Sequence, residues 1–169
     1  MEKTNLKTII SAGEVANFIA PEIDGDIIFD VDGTLMDIEH RKHFVQNKPK
    51  NWKQFMAEMV NDKPRKEIFE IAHDAKKNGH KIIVSSGRNE RDRALTTKQL
   101  NSEGLFPDIF LMRADDDFRS DDLVKKDLLN EMITKGFNPT LAIDDRNQVV
   151  DMWRANDIPC FQCVEDGNF

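Results

Sequence analysis

Two aspartates one residue apart close an apolar run: in IIFDVDGTLMD, Ile27 to Asp37, Ile27, Ile28 and Phe29 lead directly into Asp30, and Asp32 and Thr34 follow. That pattern suits either an acidic turn or a strand that carries charge to one point. Three other stretches hold groups of the same kind. VSSGR (Val84 to Arg88) ends an apolar run with two hydroxyls and a guanidinium, DDLVKKDLL (Asp121 to Leu129) holds Lys125 and Lys126, and AIDDR (Ala142 to Arg146) holds Asp144 and Asp145. If Asp30, Asp32 and Asp145 meet fully ionised, their repulsion is severe unless a cation lies between them. A ligand set of oxygens alone, without His or Cys, suits Mg²⁺ better than zinc. A cation on carboxylates beside hydroxyl and cationic donors points to phosphoryl transfer, in which an aspartate can be the nucleophile and carry the phosphoryl group. Lys125, near the start of its helical pattern, can reach back to such a site and offset charge on phosphate oxygens. Lys126 points about 100° away around the helix, so one of the two faces the site.

The elements that must position these groups follow from apolar periodicity. Strands are expected over Asp26–Asp30, Lys81–Ser85, Asp108–Met112, Thr140–Asp144 and Pro159–Val164, and helices over Arg65–Asn78, Arg91–Ser102, Asp121–Lys135 and Arg146–Ala155. Gly79, Gly104 and Gly136 stand where helices should stop. The alternation predicts an α/β domain with a Rossmann-like central parallel sheet and helices on both faces. In such sheets ligands collect at the carboxyl ends of the strands, where Asp30 with Asp32, the SSGR stretch and Asp144 with Asp145 all fall, and to which Lys125 can reach back. Residues 37–64 break the rhythm. They read as a small insertion, or minimal cap, after the first strand, with a helix near Trp52–Val60.

The 169 residues suffice for one domain with a real core, at 39% hydrophobic and 33% charged. We expect residues 1–24 to be an N-terminal extension and 25–169 the domain. The N-terminus lacks the apolar core of a signal peptide and no run is long enough for a membrane span, so the expected compartment is the cytoplasm. The net charge of −7 disfavours broad binding to long duplex nucleic acid. Locally the sign reverses: Arg41, Lys42, Lys48, Lys50 and Lys53 occur with no Asp or Glu among them and with Trp52 in their midst. That stretch reads as a solvated face on which Trp52 and Phe55 anchor the insertion, or as a cationic wall with an aromatic for base stacking.

Taken in order, FDVDGT, VSSGR, DDLVKKDLL and AIDDR resemble the four motifs of the haloacid dehalogenase (HAD) superfamily of phosphohydrolases. Within it the chain is similar to the 3′-phosphatase domain of bacteriophage polynucleotide kinase-phosphatase, through LAIDDRNQVVDMWR (Leu141 to Arg154), SGR and the Gly-Asn-Phe ending. The resemblance covers Asp26 to Phe169. It implies that Asp30 is nucleophile and metal ligand, and that Asp32 is general acid and base with its backbone carbonyl on the metal. It also implies that Asp145 completes a Mg²⁺ shell supported by Asp144, and that Ser86 and Lys125 hold the phosphate. Arg41, Arg88 and Asp121 fall at substrate-side or supporting positions, and Thr34 belongs to the first motif. An acid that alternates with a base would suit a carboxyl whose pKa is raised by its neighbours. The kinase half of the phage enzyme needs a P-loop, GxxxxGK[ST], which is not found in these 169 residues, so kinase activity is not expected.

The expected substrate is a phosphorylated nucleic-acid end. The alternatives are a free nucleotide or other small phosphomonoester, or a silent module that keeps the metal site without chemistry. Arg113 and Arg119, flanking ADDDF, could face the cleft, with Asp115–Asp117 an exposed loop. His40, His43, His73 and His80 show no metal-ligand spacing. Cys160 and Cys163, in CFQC, read as structural side chains on opposite faces of a strand.

Overall fold

The computed structural model describes residues 24–168, so the expected extension lies, but for Asp24, outside the described residues. The apolar run DIIF forms strand β1 (Asp26–Phe29) at the centre of a five-stranded parallel sheet. β4 (Ile82–Asn89) and then β5 (Ile109–Arg113) lie on one side of it, and β6 (Pro139–Asp144) and β7 (Cys160–Gln162) on the other. Ile27 and Phe29 face one way and Ile28 the other, as the two-residue period of a strand requires. Each face is buried. Ile27, Phe29 and Val84 pack with Ile68, Phe69 and Ala72 of helix α3 (Lys66–Lys77) and with Leu100 of α4 (Arg93–Ser102). Ile28 and Ile83 pack with Val124, Leu128 and Met132 of α5 (Asp121–Thr134) and with Val149, Val150 and Trp153 of α6 (Asn147–Ala155). A sheet covered on both faces explains the unbroken apolar runs.

The chain winds outward from β1 in both directions, so the point where strand order reverses lies at the carboxyl ends of β1, β4 and β6. That is the position of three of the motifs, and the fourth, DDLVKKDLL, opens helix α5 after β5 and reaches the same rim through Lys125. Gly79, Gly104 and Gly136 follow α3, α4 and α5 with positive φ, as expected of helix stops. The remaining differences are of length. β4 runs on to Asn89, with a register irregularity between Ser86 and Asn89, β7 stops at Gln162, and a short 3-10 turn (Glu90–Asp92) precedes α4.

After β1 the chain makes a small excursion. β2 (Met36–Asp37) pairs antiparallel with β3 (Lys63–Pro64), and between them lie α1 (Glu39–Gln46), α2 (Trp52–Ala57) and a 3-10 turn (Glu58–Asn61). Periodicity did not signal α1, whose sequence EHRKHFVQ is mostly polar. It forms because Ile38 and Val45 join Phe55 in a small core of their own. Here the anchoring expectation needs correction: Phe55 is buried, whereas Trp52 is 49% exposed. The solvated-face reading fits Lys48, Lys50 and Lys53, which are exposed, but is corrected for Arg41, fully buried, and Lys42, nearly so.

Candidate active site

Asp30 follows β1 and Asp144 closes β6, next to Asp145, so parallel pairing of the two strands brings together carboxylates 114 residues apart in number. Asp30, Asp144 and Asp145 are all buried, and one ligand atom from each lies within 4.8 Å of the others. Lys125, in the first turns of α5 and itself buried, donates to Asp30 Oδ1 at 2.5 Å and to Asp144 Oδ2 at 2.8 Å. Asp144 is otherwise satisfied: Trp153 Nε1 donates to Oδ2 at 3.1 Å, and the backbone N–H groups of Asp145 and Arg146 donate to Oδ1.

Asp145 is the exception. Its Oδ2 is buried and, among the described residues, has no hydrogen-bond partner. An orphaned carboxylate oxygen in a cluster of acids is costly and marks where a cation fits. Gly33 adds to this. With φ +82, it leaves room beside Asp145, because a Cβ there would stand 2.0 Å from Asp145 Oδ2. Burial, reinforced by Asp144, pushes the Asp145 carboxyl up to about 7. Burial also holds Asp30 well above the usual carboxylate range, although Lys125 pulls the other way. Burial disfavours the charge on Lys125, yet Asp144 and Asp30 outweigh it and raise the ammonium further. A single lysine facing three acids leaves net negative charge that a hard divalent ion would neutralise. The donor set is all oxygen and fits such an ion.

Asp32 differs from the expectation in two ways. Its side chain is not among the clustered carboxylates, because Oδ1 is taken by two arginines: Arg41 Nη2 at 2.8 Å and Arg88 through Nε at 2.8 Å and Nη2 at 2.6 Å. Its pKa is lowered rather than raised. Burial alone would raise it, but the Arg88 and Arg41 guanidiniums more than offset that. Of the substrate-side and supporting roles expected for Arg41 and Arg88, these contacts agree with the supporting one, since both are buried and bound to Asp32 and to Asp62. Asp62 was missed. It follows the 3-10 turn in the unremarkable stretch NDKP, and its partners lie 21 and 26 residues away, so no local spacing could reveal it.

The remaining candidates, Ser86, expected on the phosphate, and Asp121 and Thr34, lie around these groups. Ser86 is fully buried, with its hydroxyl accepting the Arg88 N–H at 3.2 Å. Asp121 accepts Arg113 Nη2 at 2.8 Å and lies 3.5 Å from Arg146 Nη1, close against Gly87. Thr34 is buried in the turn after Asp32, its hydroxyl 3.7 Å from Cys163 Sγ rather than at the carboxylates. The two cysteines are free, and they pack on opposite faces of the sheet.

Asp30, Asp32 and Asp145 line an open cavity of about 840 Å³. Its wall also holds Arg113, Arg119 and Arg146, and its apolar lining includes Trp52, Met56 and Phe118. Phe118 is 90% exposed, unusual for a side chain of its size. The arginines of the wall are already paired: Arg88 with Asp32 and Asp62, Arg91 with Asp115, Arg113 and Arg146 with Asp121, and Arg119 with Asp117 and Asp127. No helix among the described residues is long and apolar enough to cross a membrane.

A family model described as the polynucleotide kinase PNKP phosphatase domain matches residues 24–169. The chain is similar to a chain in the structure of a Pnkp1/Rnl/Hen1 complex, at 34% identity and TM-score 0.70, covering 85% of this chain and 47% of that one. A chain in the Pnkp1/Rnl/Hen1 RNA repair complex matches at 34% identity and TM-score 0.68, over 85% and 43%. The chain thus spans about half the length of these relatives. A HAD-superfamily hydrolase of subfamily IA from Geobacter sulfurreducens shares the fold at 18% identity and TM-score 0.55, over 83% of this chain and 89% of that one.

Proposed function

Because the chain belongs to the polynucleotide kinase PNKP phosphatase domain family of HAD phosphatases, and so is a hydrolase of phosphoric monoesters, we propose that it removes the 3′-phosphate from polynucleotide ends with Mg²⁺ through an aspartyl-phosphate. The observation that carries the metal and nucleophile assignment is the buried, unpartnered Asp145 Oδ2 beside Asp30 on the floor of the cavity. Asp30 and Asp145 would hold Mg²⁺, with the backbone carbonyl of Asp32, and Asp144 would support them. When bound, the ion supplies positive charge to the phosphoryl oxygens.

In the first step a carboxylate oxygen of Asp30 attacks phosphorus in line. The bond from phosphorus to the ester oxygen breaks, its electron pair goes to the leaving alkoxide, and Asp32 delivers a proton to it. In the second step Asp32 takes a proton from water, whose oxygen attacks phosphorus. The bond to Asp30 then breaks and the carboxylate is restored. Lys125 holds Asp30 in place and offsets charge on the phosphoryl oxygens. Because its arginine contacts all end on Oδ1, Asp32 keeps Oδ2 available to exchange protons.

A cavity of about 840 Å³ is far larger than a phosphate requires, and Trp52, Phe118 and basic side chains on its wall suit a nucleotide end. Against a long polyanion stand the carboxylates that pair Arg91, Arg113 and Arg119. They favour the second reading, a phosphatase of free nucleotides. Steady-state turnover of a 3′-phosphorylated oligonucleotide, mononucleotides and p-nitrophenyl phosphate, with Asp30→Asn as control, separates the two. The first reading expects the oligonucleotide to lead, with log KM rising with log salt at a slope of at least about 1.4 for two phosphate contacts. Faster mononucleotide turnover with a flat salt response would establish the second, and full activity of Asp30→Asn would remove both.

A further inference from the structure

Asp62 belongs to none of the motifs, yet its side chain is completely enclosed at the edge of the site. It accepts Arg41 Nε on Oδ1 and Arg41 Nη2 on Oδ2, both at 2.7 Å, and Arg88 Nη2 on Oδ2 at 2.6 Å. The same two guanidiniums hold Asp32, and every one of those contacts ends on Asp32 Oδ1. Two cations therefore meet two anions in one buried cluster. The pairs cross between parts of the fold: Arg41 and Asp62 come from the 36–64 segment, Asp32 and Arg88 from the carboxyl ends of the central strands. Thr96 at 3.1 Å and Gln99 at 2.6 Å fix the other end of Arg88, and Gln99 Nε2 donates to the Met59 carbonyl at 2.8 Å, tying the segment down a second time.

The guanidinium fork is planar and its donors are set in direction. With Asp62 present, its two oxygens take Arg41 Nε and share Arg41 Nη2 and Arg88 Nη2 with Asp32, which also receives Arg88 Nε, all on one oxygen. Without it, two buried cations would face a single carboxylate, an unbalanced arrangement that favours drawing in both Asp32 oxygens. We propose that Asp62 is a positioning residue which, by dividing the donors of Arg41 and Arg88, keeps Asp32 anchored through Oδ1 with Oδ2 open to the cleft. The proposal deepens the reading of Asp32 as acid and base and rests on it. The simpler alternative is that Asp62 only fastens the segment to the domain.

The two differ in how a variant treats leaving groups. The alkoxide of a 3′-phosphorylated oligonucleotide needs a proton as it departs, and nitrophenolate does not. Single-turnover release from each substrate with Mg²⁺, for Asp62→Asn, Asp62→Glu and the control Asp32→Asn, measures this. For Asp62→Asn the oligonucleotide step should slow about 100-fold, the loss expected when an acid is misplaced by about an ångström. The nitrophenyl step should slow less than about fivefold and KM should stay within about threefold, with Asp62→Glu recovering part of the loss. Equal slowing of both substrates, or none, in a variant that melts like wild type reduces Asp62 to a fastener and overturns the proposal. If Asp62→Asn does not fold, the Asp62→Glu ratio decides by the same criterion. If Asp32→Asn slows both substrates equally, the failure lies with the reading of Asp32 and takes the proposal with it.

Discussion

Asp145 is held at a cost to the fold. Its Oδ2 is buried without a partner, and its neighbours are Asp30 and Asp144. Asp145→Asn should therefore stabilise the metal-free protein, by about 1–3 kcal/mol, while removing turnover, a trade-off usual at active sites. Thermal melts in chelator, beside activity with Mg²⁺, test both halves, and a lower melting temperature for the variant would contradict the account. The sign of the pH dependence follows. The carboxyl rises from 3.8 to about 7 on folding, so the folded state binds the extra proton across that window. Stability from this group is present at low pH and is lost as pH rises through about 7. The advantage of Asp145→Asn in chelator should thus grow between about pH 5 and about pH 8 and shrink when Mg²⁺ is added, because metal binding displaces the proton. At this scale Asp30, Lys125 and Asp145 were legible from residue type and spacing. Asp62 was not, because its meaning lies in Arg41 and Arg88, which are near only in space.

Two elements position the site through single contacts. Helix α6 reaches it by Trp153, fully buried, whose Nε1 donates to Asp144 Oδ2. Trp153→Phe removes that donor and leaves a void. A loss of about 2–3 kcal/mol in denaturant unfolding is expected, with activity reduced because Asp144 is less firmly held. The turn after β1 depends on Gly33, where the +82 φ and the 2.0 Å approach to Asp145 Oδ2 leave no space for a methyl group. Gly33→Ala should lower stability by about 1–3 kcal/mol and weaken Mg²⁺ binding in a thermal-shift titration. Unchanged metal affinity would separate the turn from the metal. The strands and principal helices were readable because apolar periodicity is strong where both sheet faces are covered. Helix α1 was not, since Val45 beside Ile38 and the ion pairs of Arg41 hold it, and their partners Phe55, Asp62 and Asp32 meet them only in the folded chain.

For the whole molecule, a net charge of −7 meets a cavity walled by arginines. The wall is not a free positive field, because Arg91, Arg113 and Arg119 are paired with acids. Under the proposed reading, grip on a nucleotide end would draw on the exposed apolar surface of Trp52 and Phe118 as well. Trp52→Ala should raise KM for a 3′-phosphorylated oligonucleotide about tenfold, the value of one stacked base, while p-nitrophenyl phosphate is turned over as before. An equal effect on both substrates would show that Trp52 shapes the phosphate pocket instead.

The order of apolar runs and helix stops determined the parallel sheet, and with it the carboxyl-end rim on which Asp30, Ser86, Lys125 and Asp145 had to converge. Those are consequences of local periodicity and of one topological rule, and both are written along the chain. Only the tertiary structure decided that Arg41 and Arg88 lower the pKa of Asp32 rather than neighbouring acids raising it, that Asp62 completes their cluster, and that Phe55 is core while Trp52 faces the cleft. The physical reason is common to all three. Charge balance and burial depend on which side chains meet across tens of residues, and spacing within a motif carries no information about those encounters.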